Sequence, residues 1–269
     1  GLNGSVWGQD LSNANSLPDF SGVVGHKYGS VVFFDKKVDG TFDSAYVDAT
    51  SELAVSFTEN IVVSGPIKFK RTFERDVPAT IVLPFDVPAG VLPEADAVTF
   101  YRIDSVKKEP SNPGYKWSVV MKSVEGGLAA HTPYVIIPRT INTLSFDFGE
   151  NPASILPTTV YDETSDENVS AAIADTAKVK PGESKWVFAG TYSYKAWPDD
   201  DPEIGRAYGF AGSADNGVSA GQFVKVGAGA YINPMRAYLK RVESSSSSSR
   251  TRRALGNASV LASIPEELP

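Results

Sequence analysis

The stretch IKFKRTFERDVPATIVLPF (residues 67–85) decides the fold class. In its first half Ile67, Phe69, Arg71 and Phe73 alternate with Lys68, Lys70 and Thr72. That period of two puts one set on the buried face of a strand and the other on its solvent face. Arg71 falls in the apolar set. After the turn-forming residues 74–78, the run Thr80–Phe85 (TIVLPF) is continuously apolar, as in a strand covered on both faces. Pro84 interrupts it, because proline donates no ladder hydrogen bond, so this strand is expected at a sheet edge or a bulge.

The same pattern extends in both directions. Upstream, Val31–Phe34 is an apolar run, Asp39-Gly40 is a strong hairpin turn signal, and Phe42–Val47 returns. Leu53, Val55 and Phe57 alternate with polar residues and predict a half-buried strand; Ile61–Val63 follows. Downstream, Val98–Ile103, Trp117–Val120, Tyr134–Ile137 and Leu144–Phe148 read as strands, with breaks at Asn112-Pro113-Gly114 and Glu125-Gly126-Gly127. Residues 149–182 differ, being acidic in front and Ala-rich behind. They suit either one short helix near Asn168–Ala177 or an excursion of the sheet, and Pro181-Gly182 closes them. Strands resume at Trp186–Phe188, Thr191–Tyr194, Ala207–Phe210, Gln222–Val226 and Arg236–Val242. Arg236 stands among strand residues and is expected to pair with an acidic neighbour.

Strand signals every 8–15 residues or so predict an all-β protein, an antiparallel β-sandwich of jelly-roll or Ig-like type, with at most one or two short helices. Residues 1–27 read as a lead-in, 28–242 as the folded unit with a sub-boundary near 149–182, and 243–269 as a Ser-rich linker and tail, since Ser244–Ser249 buries nothing. Residue 1 is Gly rather than Met, so a mature form or an excerpt of a longer precursor is expected.

Composition narrows the chemistry. The chain has 269 residues, 32 acidic against 25 basic, for a net charge of −7. No basic face of the kind that neutralises phosphates is apparent, so no nucleic-acid partner is expected. No apolar run reaches the ~18 residues of a membrane helix, and membrane insertion is not expected. There is no cysteine, which excludes disulfides, thiolate nucleophiles and Cys-ligated metals. Only His26 and His131 are available as imidazole bases, and no G-x-S-x-G elbow accompanies them. Gly227-Ala228-Gly229 lacks the lysine and third glycine of the phosphate-binding loops.

No cofactor is called for, although calcium fits the acidic turns. Asp199, Asp201 and Glu203, in the run DDDPE (199–203), offer oxygen ligands for a calcium ion, and Asp162, Glu163, Asp166 and Glu167 form a second acidic cluster. Neither has the EF-hand spacing. A glycosidase would need two carboxylates held about 5–9.5 Å apart; nothing picks out such a pair. For a sugar ligand, Trp197 next to Pro198 and the Asp run is the best stacking residue, with Tyr192 and Tyr194 just before it. Trp117 and Trp186 lie at strand positions and read as core.

Several phrases, taken in order, resemble a C-terminal β-module of large secreted or surface proteins of anaerobic gut-type bacteria. They are RTFERDVPATIVLPFDVPAG (71–90), AHTPYVI (130–136), WVFAGTYSY (186–194), YGFAG (208–212) and FVKVGAGAYINPMRAYL (223–239), and the likeness spans about residues 65–242. The family usually has Asn where this chain has His131 and often Phe where it has Met235. The resemblance implies export and an extracellular or cell-surface location, with no catalytic role. The expected function is a non-catalytic module for surface attachment, adhesion or spacing, with polysaccharide or other surface proteins as partners. A carbohydrate-binding module is the alternative reading, and a carboxylate-based glycoside hydrolase the next.

Overall fold

The computed structural model describes residues 25–28, 30–110, 115–139, 144–149, 151–159, 172–173, 184–214, 217–243 and 261–262. The acidic cluster at 162–167, the serine run and most of the expected helix at 168–177 lie outside them. Within that helix window, Ala172 and Ile173 are extended and pair with the strand at 184–191.

The described chain is all β, apart from one 3-10 turn at Ala89–Val91. The first strands are β1 (Gly25–Tyr28), β2 (Val31–Lys36), β3 (Phe42–Asp48), β4 (Ile61–Val63) and β5 (Ile67–Lys70). Next come β6 (Ala79–Val82), β7 (Val87–Pro88), β8 (Val98–Pro110), β9 (Tyr115–Ser123), β10 (Gly127–Leu128), β11 (Pro133–Pro138), β12 (Leu144–Phe146) and β13 (Ala153–Ile155). The last are β14 (Ala172–Ile173), β15 (Ser184–Thr191), β16 (Lys195–Ala196), β17 (Ala207–Phe210), β18 (Phe223–Lys225), β19 (Tyr231–Ile232), β20 (Arg236–Glu243) and β21 (Leu261–Ala262).

They form three main sheets. The first runs β1-β2-β3, after which β4 and β5 share the next position, backed by β13 and β12. Asp39-Gly40 makes the expected β2–β3 hairpin: Gly40 takes φ +89° and Asp39 Oδ1 accepts the Thr41 amide at 3.0 Å. β3 pairs parallel with both β4 and β5, so this sheet is mixed rather than purely antiparallel. Between them the register slips by one residue: Phe42 faces Val63, whereas Ala45 faces Ile67. The bulge lies at Ser64-Gly65-Pro66, and a Cβ on Gly65 would sit 2.2 Å from the Asp43 carbonyl oxygen, so only glycine fits.

The second sheet, β6-β11-β8-β9, is antiparallel and central. All six residues of β11 are buried. Alternate side chains serve different cores: Phe100, Tyr134 and Ile136 pack against the first sheet with Phe33, Phe69 and Phe146. Tyr101, Val135 and Ile137 pack against the third sheet with Trp186, Phe188 and Leu239. A strand covered on both faces needs a continuous apolar sequence, and PYVIIP provides it. β6 is an edge strand and ends before Pro84, as the proline requires.

The third sheet is antiparallel, in the order β14-β15-β20-β17-β18-β21. Its outer face carries a smaller core of Val187, Ala189, Trp197, Ala207, Val226 and Tyr238, beside the short β16–β19 pair. The central and third sheets meet at a corner. The Val82 amide donates to the Met235 carbonyl at 3.2 Å, and the Thr80 hydroxyl both accepts from the Ala237 amide and donates to its carbonyl, each at 2.8 Å. The all-β sandwich is thus present, with a third layer beyond the two-sheet jelly-roll and Ig-like forms.

Two expected strands are missing: that at Thr191–Tyr194 stops at Thr191, the last residue of β15, and that around Leu53–Phe57 does not form. Val55 and Phe57 are buried and Leu53 is exposed, as the alternation implies, yet residues 51–60 form no ladder. The Val55 amide donates to the Tyr192 carbonyl at 2.8 Å and the Phe57 amide to Thr158 Oγ1 at 2.8 Å. Burial set the pattern there, and a side-chain hydroxyl took the place of a neighbouring strand.

Candidate functional site

Trp197 is 1% exposed, so it offers no ring face to a ligand. It packs edge-on against Tyr238 with centroids 5.2 Å apart, and its Nε1 donates to Glu203 Oε2 at 3.1 Å. The turn that brings Glu203 back is built by Asp201, whose carboxylate accepts the Glu203 amide at 2.7 Å. Glu203 also receives Lys195 Nζ at 3.1 Å, Lys240 Nζ at 3.6 Å and the Tyr238 hydroxyl at 3.3 Å. Burial pushes its carboxyl pKa up, but Lys195, the Trp197 indole and Lys240 together outweigh this and hold it below the ordinary value. The Lys195 ammonium lies 5.3 Å from both the Trp197 and Tyr238 ring centroids. This hub is built within the protein: both Glu203 oxygens meet protein donors.

The three proposed calcium ligands therefore do not converge. Glu203 turns inward to the two lysines, Asp201 caps its own turn, and Asp199 is exposed. Among the described residues no three acidic or histidine side chains come together in a way that would hold a metal.

Tyr192 is also buried, and its hydroxyl lies 2.9 Å from His131 Nδ1. His131 adopts φ +56°, left-handed backbone that Asn enters more readily than most residues. Burial holds its pKa below the ordinary value, against a small upward pull from Asp86. His131 joins β11's entry loop to the end of β15: its ring meets the Tyr192 hydroxyl and its amide donates to the Leu83 carbonyl.

Of the three sugar-stacking candidates, only Tyr194 reaches solvent, at 40% exposure. Its partner is Tyr231, which is 60% exposed: the rings stack at 5.6 Å with 27° between planes. The β16–β19 pairing brings the two rings together, Lys195 opposite Ile232 and Ala196 opposite Tyr231. Tyr194 is legible in the sequence and Tyr231 is not, because their contact depends on Ala196 pairing with Tyr231 and Lys195 with Ile232 across the β16–β19 ladder.

Tyr231 also lines a cavity of about 680 Å³ at the corner where the central and third sheets meet. Arg71, Thr80, Gly209, Arg236 and Glu74 line it too. Arg71 is 7% exposed; its Nη1 donates to the Thr80 carbonyl, and its guanidinium lies 4.9 Å over the Phe73 ring. Arg236 Nε is fully buried with no hydrogen-bond partner. The expected acidic neighbour of Arg236 is missing: among the described residues neither arginine has a carboxylate within ion-pair distance. Burial lowers both pKa values, and the charge of Arg236 lowers that of Arg71 further. Arginine keeps its proton even so, so two desolvated positive charges share one cavity.

No family model matches the chain, and neither a curated protein nor a solved structure matches it.

Proposed function

We propose that the chain is a non-catalytic module of an exported bacterial protein that serves attachment by holding a glycan across the Tyr194–Tyr231 pair. The export half of this reading rests on the resemblance of the landmarks in residues 65–242. The glycan half is carried by one observation: two tyrosine rings stack in solvent at the rim of a polar cavity. Exposed large apolar side chains are few among the described residues: Val38, Leu53, Tyr194 and Tyr231. Val38 and Leu53 are single aliphatic side chains, so among the described residues the two tyrosines form the exposed aromatic patch. A tyrosine face buries the apolar face of a pyranose while its hydroxyl stays hydrated, and loops on a rigid sheet are where binding groups concentrate.

Binding of an oligosaccharide array to the wild type, Tyr231→Ala and Tyr194→Ala tests this. Tyr231→Ala is expected to weaken any glycan bound by the wild type roughly tenfold, the loss of one buried ring face. Unchanged binding in both variants would remove the platform from the account. Incubation of the bound glycans with the wild type is expected to release no reducing ends. Release abolished by one Asp or Glu substitution would instead establish the hydrolase reading.

A further inference from the structure

We infer that the cavity below Tyr231 is an anion subsite in which Arg71 and Arg236 receive the carboxylate of an acidic sugar. The inference rests on the glycan reading above and names the class of sugar.

The chain carries 32 acidic residues, seven more than its basic ones, so a fold needing to neutralise these guanidiniums had carboxylates to spare. It does so elsewhere: Asp76 pairs with Arg139 at 2.7 Å and Glu203 with two lysines. At this corner it does not. A buried charge without a partner costs free energy, and residues that carry such a cost are enriched at functional sites. Glu74 also lines the cavity, but it is exposed and lies outside ion-pair range of either arginine.

Each guanidinium has five N–H groups in a planar fork. Arg71 spends Nη1 on the Thr80 carbonyl, which fixes its orientation. Arg236 lines the cavity, and its Nε is buried with no acceptor, so contact with a ligand falls to its Nη groups. Thr80 is itself tied to Ala237, the residue after Arg236, by two 2.8 Å hydrogen bonds. Both arginines are thus mounted on one rigid corner. Paired forks of this kind match a planar carboxylate bidentately.

At about 680 Å³ the cavity is in the range that takes a small ligand. Tyr231 forms part of its wall and is stacked on Tyr194 outside. A ring lying on the tyrosines with a carboxylate one bond from it, as in a uronic acid, would present apolar face and charge to the two features together. Phosphate, sulfate or an acidic peptide would use the arginines without the rings.

The test is calorimetric binding of oligogalacturonate and of the same oligomer with its carboxyls reduced, to the wild type and three variants. The wild type is expected to prefer the acidic oligomer by about tenfold or more, with the preference shrinking as salt rises. Arg236→Gln is expected to abolish that preference. Gly209→Glu is the second variant, because it leaves the arginines in place. Gly209 lines the cavity and a Cβ there meets nothing within 4 Å; the added carboxylate is expected to compete for the arginines and lower acidic binding about tenfold. Tyr231→Ala is expected to weaken both oligomers. An equal affinity for the two oligomers, unaltered by Arg236→Gln, would overturn the anion subsite and leave the glycan reading standing. Wild-type binding of the acidic oligomer by Gly209→Glu would also overturn it. Loss of both oligomers in favour of inorganic sulfate, phosphate or oligoglutamate would overturn the sugar assignment and the glycan reading together.

Discussion

One face of β20 carries Arg236, Tyr238 and Lys240, and the two ends of that face are treated in opposite ways. At Tyr238 and Lys240 the charge is closed off: one carboxylate, Glu203, meets two ammoniums, an indole N–H and a phenol. Two residues earlier, Arg236 and Arg71 share a cavity with no carboxylate in range. Both ends lie on the same strand, and Arg236 and Lys240 are each partly buried. A complete constellation supports folding. An incomplete one leaves donors to an outside partner, at some cost in stability.

The largest expected effect lies on the closed side. Glu203→Ala leaves two partly buried ammoniums, Trp197 Nε1 and the Tyr238 hydroxyl without their acceptor. It should cost about 2–3 kcal/mol in urea unfolding, and a loss under about 0.5 kcal/mol would show that the hub contributes little. On the open side, Arg236→Gln removes a desolvated, unpaired charge. Stability is expected to stay level or rise by up to about 1 kcal/mol.

pH separates the hub from His131. Glu203 has a folded pKa below its ordinary 4.5, so its contribution is complete above that pH and is lost as pH falls through the folded value. His131 has a folded pKa below 6.5, so the unfolded chain binds the extra proton first, and stability falls as pH drops below about 6.5. Melting points of the wild type and His131→Asn between pH 7.5 and 5 check this. The asparagine variant tolerates the same left-handed backbone and is expected to show a flatter profile. An identical slope would place the titration elsewhere.

The smallest effect is at Tyr46. Its hydroxyl is buried with no hydrogen-bond partner, and burial, with Asp48 nearby, pushes its pKa up to about 12. No cavity arginine is involved, so Tyr46→Phe samples an unpaired buried group outside the groove. It is expected to stabilise by about 0.5–1 kcal/mol. A comparable loss would mean that unpaired groups in this chain are satisfied in solution, which would weaken the case made for Arg236.

The sequence carried the layers well. Apolar runs such as PYVIIP and the Asp39-Gly40 turn depend on local periodicity and backbone chemistry, which are written residue by residue. The candidate site was less legible. Arg71 did leave a signal: it stands in phase with Ile67, Phe69 and Phe73, on the face that buries. Arg236 looked like half of an ion pair, because nothing local tells a paired cation from an unpaired one. Trp197 looked exposed since it lies in a loop beside four acids. Its burial follows from Glu203 turning back through the Asp201 cap, and from β16 pairing with β19. Leu53, Val55 and Phe57 had the right burial and the wrong structure, since alternation reports which side faces inward and not what the backbone bonds to.

Arg71 and Arg236 are surplus to the fold, and urea unfolding of Arg236→Gln beside Glu203→Gln tests that most directly. A midpoint at or above the wild type for the arginine variant, with a clear drop for the glutamate variant, is the predicted result. Equal losses in the two variants would contradict it, because both constellations would then serve only to hold the sheets together.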